Sequence, residues 1–236
     1  GNLTYGELII PTTEKTDKEI FLSTYVCHPS MANNELSGPV VTTHLAKWLQ
    51  GQKNRRFNYR IIFIPETIGS IAYLSRHWEI MKQNIIAGFN ITCVGDERCY
   101  SYLPTRQGDT FADQIALHVL KYEIGDFKKY TFLDRGSDER QYCSPGIDLP
   151  VVTICRSKYH EYPEYHTSED KIGFVTNKGL QGSLELYKKI LTCIEENIIY
   201  KNKIFCEPFM TAHDLYPATG TKNAAKEAQL LMDILT

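Results

Sequence analysis

The chain has 236 residues, with Lys and Arg numbering 26 against 28 Asp and Glu, and 42% of its residues are hydrophobic. That length and apolar share suit one core of α/β size. The scattered, nearly balanced charge, with no basic run beyond Asn54, Arg55 and Arg56, argues against nucleic acid as the main partner, and no apolar stretch approaches the roughly 18 residues of a membrane span.

Residues 3–11 alternate and end in Pro11, as an edge strand would, and residues 12–18 form a polar turn. Residues 19–27 are an apolar, β-branched and aromatic run of the length of an interior strand. After a polar stretch, Gly38 and Pro39 open a run in which Val40, Val41, His44, Leu45, Trp48 and Leu49 keep helical spacing. A second strand and helix cover residues 57–81, and residues 85–94 read as a third buried strand. Such alternation predicts a three-layer α/β/α fold, a mixed and mostly parallel sheet with helices on both faces.

Residues 95–110, polar and aromatic, read as a loop at the mouth of the site, and residues 110–122 as a helix carrying Phe111, Ile115, Leu117, Val119 and Leu120. Residues 134–142 are the densest polar cluster of the chain and precede a buried strand at 149–155. A long helix over 178–199 closes the sheet, and the stretch 206–217 reads as an ordered extension. A short amphipathic helix over 224–235 follows, with Leu230, Leu231, Ile234 and Leu235 on one side. One domain over 1–236 is expected, with 200–236 as a C-terminal extension. The abrupt opening and leading Gly1 fit a piece of a longer protein with a cloning scar at its head. Seven cysteines without a C-x-x-C pair read as reduced thiols in a cytoplasmic protein and argue against a thiolate zinc site.

Open α/β sheets place their ligands beyond the carboxyl ends of the strands. His28 follows the first interior strand, Glu66 follows the second, and His166 lies beyond the strand at 149–155. One histidine so placed is most often a satisfied loop residue; three polar residues at equivalent positions point to a site. Cys27 beside His28 is a poor nucleophile, because adjacent strand residues point to opposite faces. His44, His77 and His118 read as surface or helix-face residues.

The order of these features resembles the zinc aminopeptidases that include bacterial leucyl aminopeptidase, glutaminyl cyclase and the transferrin-receptor ectodomain. The resemblance rests on Cys27-His28-Pro29, Asn34-Glu35-Leu36-Ser37-Gly38, Glu66-Thr67-Ile68-Gly69-Ser70 and Tyr165-His166-Thr167-Ser168-Glu169-Asp170, and covers most of residues 20–175. The wording around His28, around Ser137-Asp138-Glu139-Arg140 and around Tyr162-Pro163-Glu164-Tyr165-His166 is similar to an aminopeptidase-like branch linked with bacterial polysaccharide biosynthesis.

The resemblance implies a metal-dependent hydrolase, and the departures from its pattern reduce the metal centre. The family's bridging aspartate falls on Asn34, its second glutamate on Thr67 and a further carboxylate on Thr92, so one zinc ion is expected rather than two. His28 and His166 are its best ligands, with Glu35 as the third and Asn34 and Asp138 as reserves. Glu66 is the expected general base and acid. Glu139 and Arg140 are expected to orient the amine and carboxylate of a substrate, joined by Tyr165 and Arg106. The reaction implied is hydrolysis of an amide bond next to a free amine, on a peptide or amino-acyl small molecule, by a protein that could form a homo-oligomer. The alternatives are a catalytically silent binding module, and an amide hydrolase or acyl-transfer enzyme acting on an amino sugar or cell-surface precursor.

Overall fold

The computed structural model describes residues 1–199, 201, 209, 212, 214, 215 and 224–235. The chain divides into two compact units, Gly1–Glu196 and Asn197–Thr236. In the second unit the helix α6 (Ala224–Leu235) is described, while most of the expected extension at 206–217 lies outside the described residues.

The sheet of the first unit has seven strands among the described residues: β1 (Gly6–Ile10), β2 (Glu19–Tyr25), β3 (Asn58–Ile64), β4 (Ile85–Asn90), β5 (Ser101–Leu103), β6 (Lys128–Lys129) and β7 (Val151–Cys155), in the spatial order β1, β3, β2, β4, β7, β5, β6. The inner strands β3, β2, β4 and β7 run parallel, so their carboxyl ends share one edge. All of β2 is buried, which is why that segment reads as apolar on both faces. The edge strand β1 pairs antiparallel with β3.

Helices cover both faces. On one, α1 (Ser37–Gly51), α3 (Phe111–Val119) and α5 (Asn177–Glu196) place Val41, Leu45, Leu49, Ala116, Leu186, Tyr187 and Ile190 against Leu22, Ile61, Phe89 and Val152. On the other, α2 (Ile68–Asn84) and the short α4 (Glu139–Tyr142) bring Tyr73, Leu74, Met81 and Tyr142 onto Phe21, Ile62, Ile64 and Val151. The expected three-layer architecture is the observed one.

Residues 95–110 do not form the expected loop at the mouth of the site. They contain β5, which pairs antiparallel with β7 in the register Ser101 with Cys155 and Leu103 with Thr153. The chain therefore leaves the site edge at Ser101 and travels toward the opposite edge. Three residues are too few for alternation to show in a sequence. Among the described residues, no helix is long and apolar enough to cross a membrane.

Candidate active site

The carboxyl ends of β2 and β3 are tied by the Val26 N–H donating to the Ile64 carbonyl at 2.8 Å. The chain then turns out of the sheet through Cys27 and His28 and enters a π-helical turn, Ala32–Leu36, that runs into α1. That turn carries Glu35, whose side chain is 1% exposed. Its Oε2 accepts the Cys27 N–H at 2.7 Å, and its Oε1 accepts from His28 Nδ1 at 2.7 Å and Asn34 Nδ2 at 2.9 Å. A carboxylate only accepts, so this contact puts the imidazole proton on Nδ1 and leaves the Nε2 lone pair open.

His166 arrives from the opposite side. Its backbone is in the left-handed region at φ 56°, its ring stacks on Tyr165 at 4.0 Å between centroids, and it lies 4.9 Å from the His28 ring. The segment is held from behind by the buried Asp170, whose carboxylate accepts the N–H groups of Asn33 at 2.6 Å and Asn34 at 3.0 Å and the Tyr162 hydroxyl at 3.2 Å. One carboxylate thus fastens the His166 loop to the turn that carries Glu35. Burial, then the neighbouring His28, hold the His166 imidazole below its ordinary pKa, which favours the neutral, ligating form.

Glu66 follows β3 and is half-buried. Burial raises its carboxyl above the ordinary value; the Ser137 hydroxyl and Arg140 oppose that shift, while Glu35 and Glu139 add to it. His28, Glu66 and His166 therefore stand at one edge of the sheet, as the strand ends predicted.

The remaining expected residues separate into groups. Asn34 is 2% exposed, and its Oδ1 accepts from the Tyr25 hydroxyl at 3.0 Å, which itself accepts from Thr92 Oγ1 at 2.5 Å. Two positions that the resemblance makes acidic are thus linked through Tyr25 into a neutral chain of hydrogen bonds. Asp138 is fully buried beside the start of α2, where its Oδ1 accepts the Thr67 N–H and the Ser70 hydroxyl, both at 2.8 Å. Burial pushes its carboxyl up to about 7, against those two donors and with help from Glu66 and Glu139.

Glu139, also fully buried, accepts on Oε1 from the Gly136 and Ser137 N–H groups and the Tyr159 hydroxyl, and on Oε2 from Asn90 Nδ2 and Thr153 Oγ1. Arg140 is exposed and donates from Nη2 to Thr67 Oγ1 at 2.9 Å. Tyr165 is half-buried beside His166. Arg106 is not brought to that edge: it follows β5 toward the far edge of the sheet and pairs with Asp148, which precedes β7. Among the described residues, no three His, Cys, Asp or Glu side chains form a ready metal cluster.

The family model that matches is the domain of unknown function DUF4910, over residues 1–197. The chain belongs to this family. A Clostridium acetobutylicum protein named for polysaccharide biosynthesis, with an aminopeptidase-like domain, is 42% identical over 221 residues, which is 93% of this chain and 50% of that protein. A crystal structure of a protein designated a peptidase, from the same organism, has a TM-score of 0.81 at 40% identity and covers 88% of this chain and 48% of its own. The chain thus spans about half the length of these relatives. More distant structures share the fold: a zinc aminopeptidase from Bacillus subtilis (TM-score 0.67, 18% identity, 83% of this chain and 51% of the other) and a glutaminyl cyclase from Porphyromonas gingivalis (0.61, 14%, 80% and 83%). The DUF4910 unit has an α/β fold that it shares with aminopeptidases and glutaminyl cyclases.

Proposed function

We propose that this DUF4910 unit is a hydrolase that cleaves an amide bond next to a free amine with the help of one zinc ion. The observation that carries the reading is the His28–His166 pair, 4.9 Å between ring centroids, with Glu35 behind His28 and the raised carboxyl of Glu66 at the same edge. The donor set fits a single cation. His28 Nδ1 is held by Glu35, a carboxylate–histidine arrangement that orients a ligating ring and makes it more basic, and no hydrogen bond among the described residues engages the His166 imidazole. The Thr92–Tyr25–Asn34 chain is neutral and internally satisfied, which supports one ion rather than two. In this conformation Glu35, Asn34 and Asp138, the expected third ligands, accept from the Cys27 N–H, the Tyr25 hydroxyl and the Thr67 N–H respectively.

His28 and His166 are the residues that would hold the ion, and zinc, when bound, supplies a Lewis acid for a carbonyl and for water. Glu66 takes a proton from the attacking water on its carboxylate and returns it to the leaving amine; its raised pKa suits both halves of that task. Arg140 offers an exposed guanidinium, fixed by Thr67, to an anionic group of the substrate, and Tyr165 stacks on the His166 ring and supports it. Glu139, its oxygens taken by five donors, acts as a loop anchor.

The test measures zinc content and turnover in the wild type and Glu66→Gln, over aminoacyl amides, short peptides and N-acyl amino sugars at neutral pH. The sugars enter because of the name borne by the C. acetobutylicum relative. Glu66→Gln is expected to keep its zinc and lose about 100-fold or more in turnover. Equal rates, or hydrolysis by neither protein, would favour a binding module.

A further inference from the structure

The residue after the proposed proton carrier has a backbone conformation that its side chain disfavours. Thr67 sits at φ 61° and ψ −66°, and the Ile68 N–H donates to the Glu66 carbonyl at 2.7 Å. Residues 66–68 therefore form a γ-turn of the rare, strained hand, with a β-branched residue at its centre, where positive φ is a genuine outlier. Strain of this kind persists only where the surroundings over-determine it.

The surroundings here are Asp138, Arg140 and Gly69. Asp138 Oδ1 accepts the Thr67 N–H at 2.8 Å and, on the same oxygen, the Ser70 hydroxyl at 2.8 Å. Arg140 Nη2 holds the Thr67 hydroxyl at 2.9 Å. Gly69 lets α2 start hard against the strand it leaves: a Cβ there would stand 2.8 Å from Pro65 Cδ and 2.9 Å from Ile64 Cβ. Asp138 is itself immobilised, because the next residue, Glu139, accepts from Asn90 of β4, Thr153 of β7 and the backbone at Gly136 and Ser137. Glu139 is thus hydrogen-bonded to the middle of the sheet, and Asp138, its covalent neighbour, is hydrogen-bonded to the turn that carries Glu66. The other Asp138 oxygen, buried, has no hydrogen-bond partner among the described residues, so the side chain is spent on the turn and not on a wider network.

We propose that Asp138 is a positioning residue for Glu66: by holding the Thr67 N–H it keeps the Glu66–Thr67–Ile68 turn in its left-handed form and so fixes the direction in which Glu66 leaves β3. The proposal deepens the hydrolase reading and rests on Glu66 being its proton carrier. It also separates Asp138 from the metal ligands among which the sequence placed it.

The experiment compares wild type, Asp138→Asn, Asp138→Ala, Asp138→Ser, Thr67→Gly and Thr67→Gly/Asp138→Ala. It reads backbone amide exchange at Thr67, zinc content, and kcat and KM separately. Asp138→Asn keeps an acceptor for the Thr67 N–H, and the amide is expected to stay protected. Asp138→Ala removes the acceptor, and exchange at Thr67 is expected to rise by about 10-fold or more; Asp138→Ser withdraws it while keeping a polar side chain and replaces Asp138→Ala if that variant does not fold. With the acceptor gone, kcat is expected to fall about 10- to 100-fold at nearly constant KM, the scale of a misplaced catalytic group, with Asp138→Asn restoring most of it and zinc retained throughout. In the Thr67→Gly background, where positive φ is unstrained, removing Asp138 is expected to lower kcat less.

Equal Thr67 exchange in wild type and Asp138→Ala would overturn the proposal. So would zinc lost from both Asp138→Asn and Asp138→Ala, which would make Asp138 a ligand. A wild type with no hydrolysis but with Thr67 exchange released in Asp138→Ala would sink the catalytic reading while upholding the clamp.

Discussion

Glu35 was expected as a metal ligand because it stands one residue past the position where the resembled family has its bridging acid. Its oxygens receive the Cys27 N–H, the Asn34 amide and His28 Nδ1, which puts it behind His28, one of the two ligands proposed above. Removing a partner in that position lowers metal affinity without abolishing it, whereas removing a proposed ligand removes one of the two imidazoles on which the proposed site rests. In a competition titration against a chelating dye, Glu35→Ala is therefore expected to weaken zinc about 10- to 100-fold, while His28→Ala and His166→Ala lose stoichiometric zinc and His77→Ala keeps it. Retained tight binding in both histidine variants would remove the metal assignment. At this scale the places of His28 and Glu66 are legible because each is a polar residue soon after a buried strand, and that of His166 from the Tyr165-His166-Thr167 wording beyond β7. Tyr25, Thr67 and Asp170 are not: Tyr25 reads as one more core aromatic, the turn at Thr67 is a matter of φ, and Asp170 acts on residues 136 and 137 positions away in the chain.

The elements that deliver these residues were legible where they are long and regular. β2, β3 and α1 stand out from their apolar runs and helical spacing, as does α5, and with them the sheet edge that carries His28 and Glu66. The short strands β5 and β6, three and two residues long, left no periodic trace, and with β5 unseen Arg106 was assigned to the wrong edge of the sheet. The approach of α1 to the sheet was equally invisible, and it depends on Gly38. A Cβ built there would run into the Ile91 carbonyl oxygen and the Thr24 hydroxyl, whereas at Gly51, the last residue of the same helix, it would meet open space. Gly38→Ala is expected to destabilise the fold by about 1–3 kcal/mol in denaturant unfolding, the usual scale of overpacking, and Gly51→Ala by almost nothing. A neutral Gly38→Ala would mean that the helix can lift from β2 and β4 freely, and the turn bearing Glu35 would then be placed by bonds such as those to Asp170 and Cys27 rather than by the helix.

Over the whole molecule the charge is nearly balanced, but at the carboxyl edge of the sheet it is not: Glu35, Glu66, Asp138, Glu139 and Asp170 are all buried or half-buried there, with Arg140 beside them. The consequence for stability follows from the sign of the shift at Asp138, whose carboxyl moves from 3.8 in the unfolded chain to about 7 in the folded one, chiefly by burial. Between those values the folded protein holds a proton that the unfolded chain has released. The contribution is thus fully present below the lower value and is lost as pH rises through the upper one. A shift of that size in a group so buried corresponds to at most about 4 kcal/mol. Glu66, raised in the same direction, adds to the trend, while Asp134, Asp148 and Glu164, lowered by their hydrogen bonds, oppose it. The contributions of Asp134, Asp148 and Glu164 are common to the wild type and Asp138→Asn and cancel in their difference, while that of Glu66, which acts on Asp138, is read together with it. In denaturant titrations of the chelator-treated proteins, which keep metal linkage out of the comparison, the wild type is expected to lose about 2–4 kcal/mol relative to Asp138→Asn between pH 4 and pH 7. A difference that stays flat over that range would mean that Asp138 ionises as an ordinary carboxyl, and a difference that grows in favour of the wild type would mean that the Thr67 and Ser70 donors outweigh its burial.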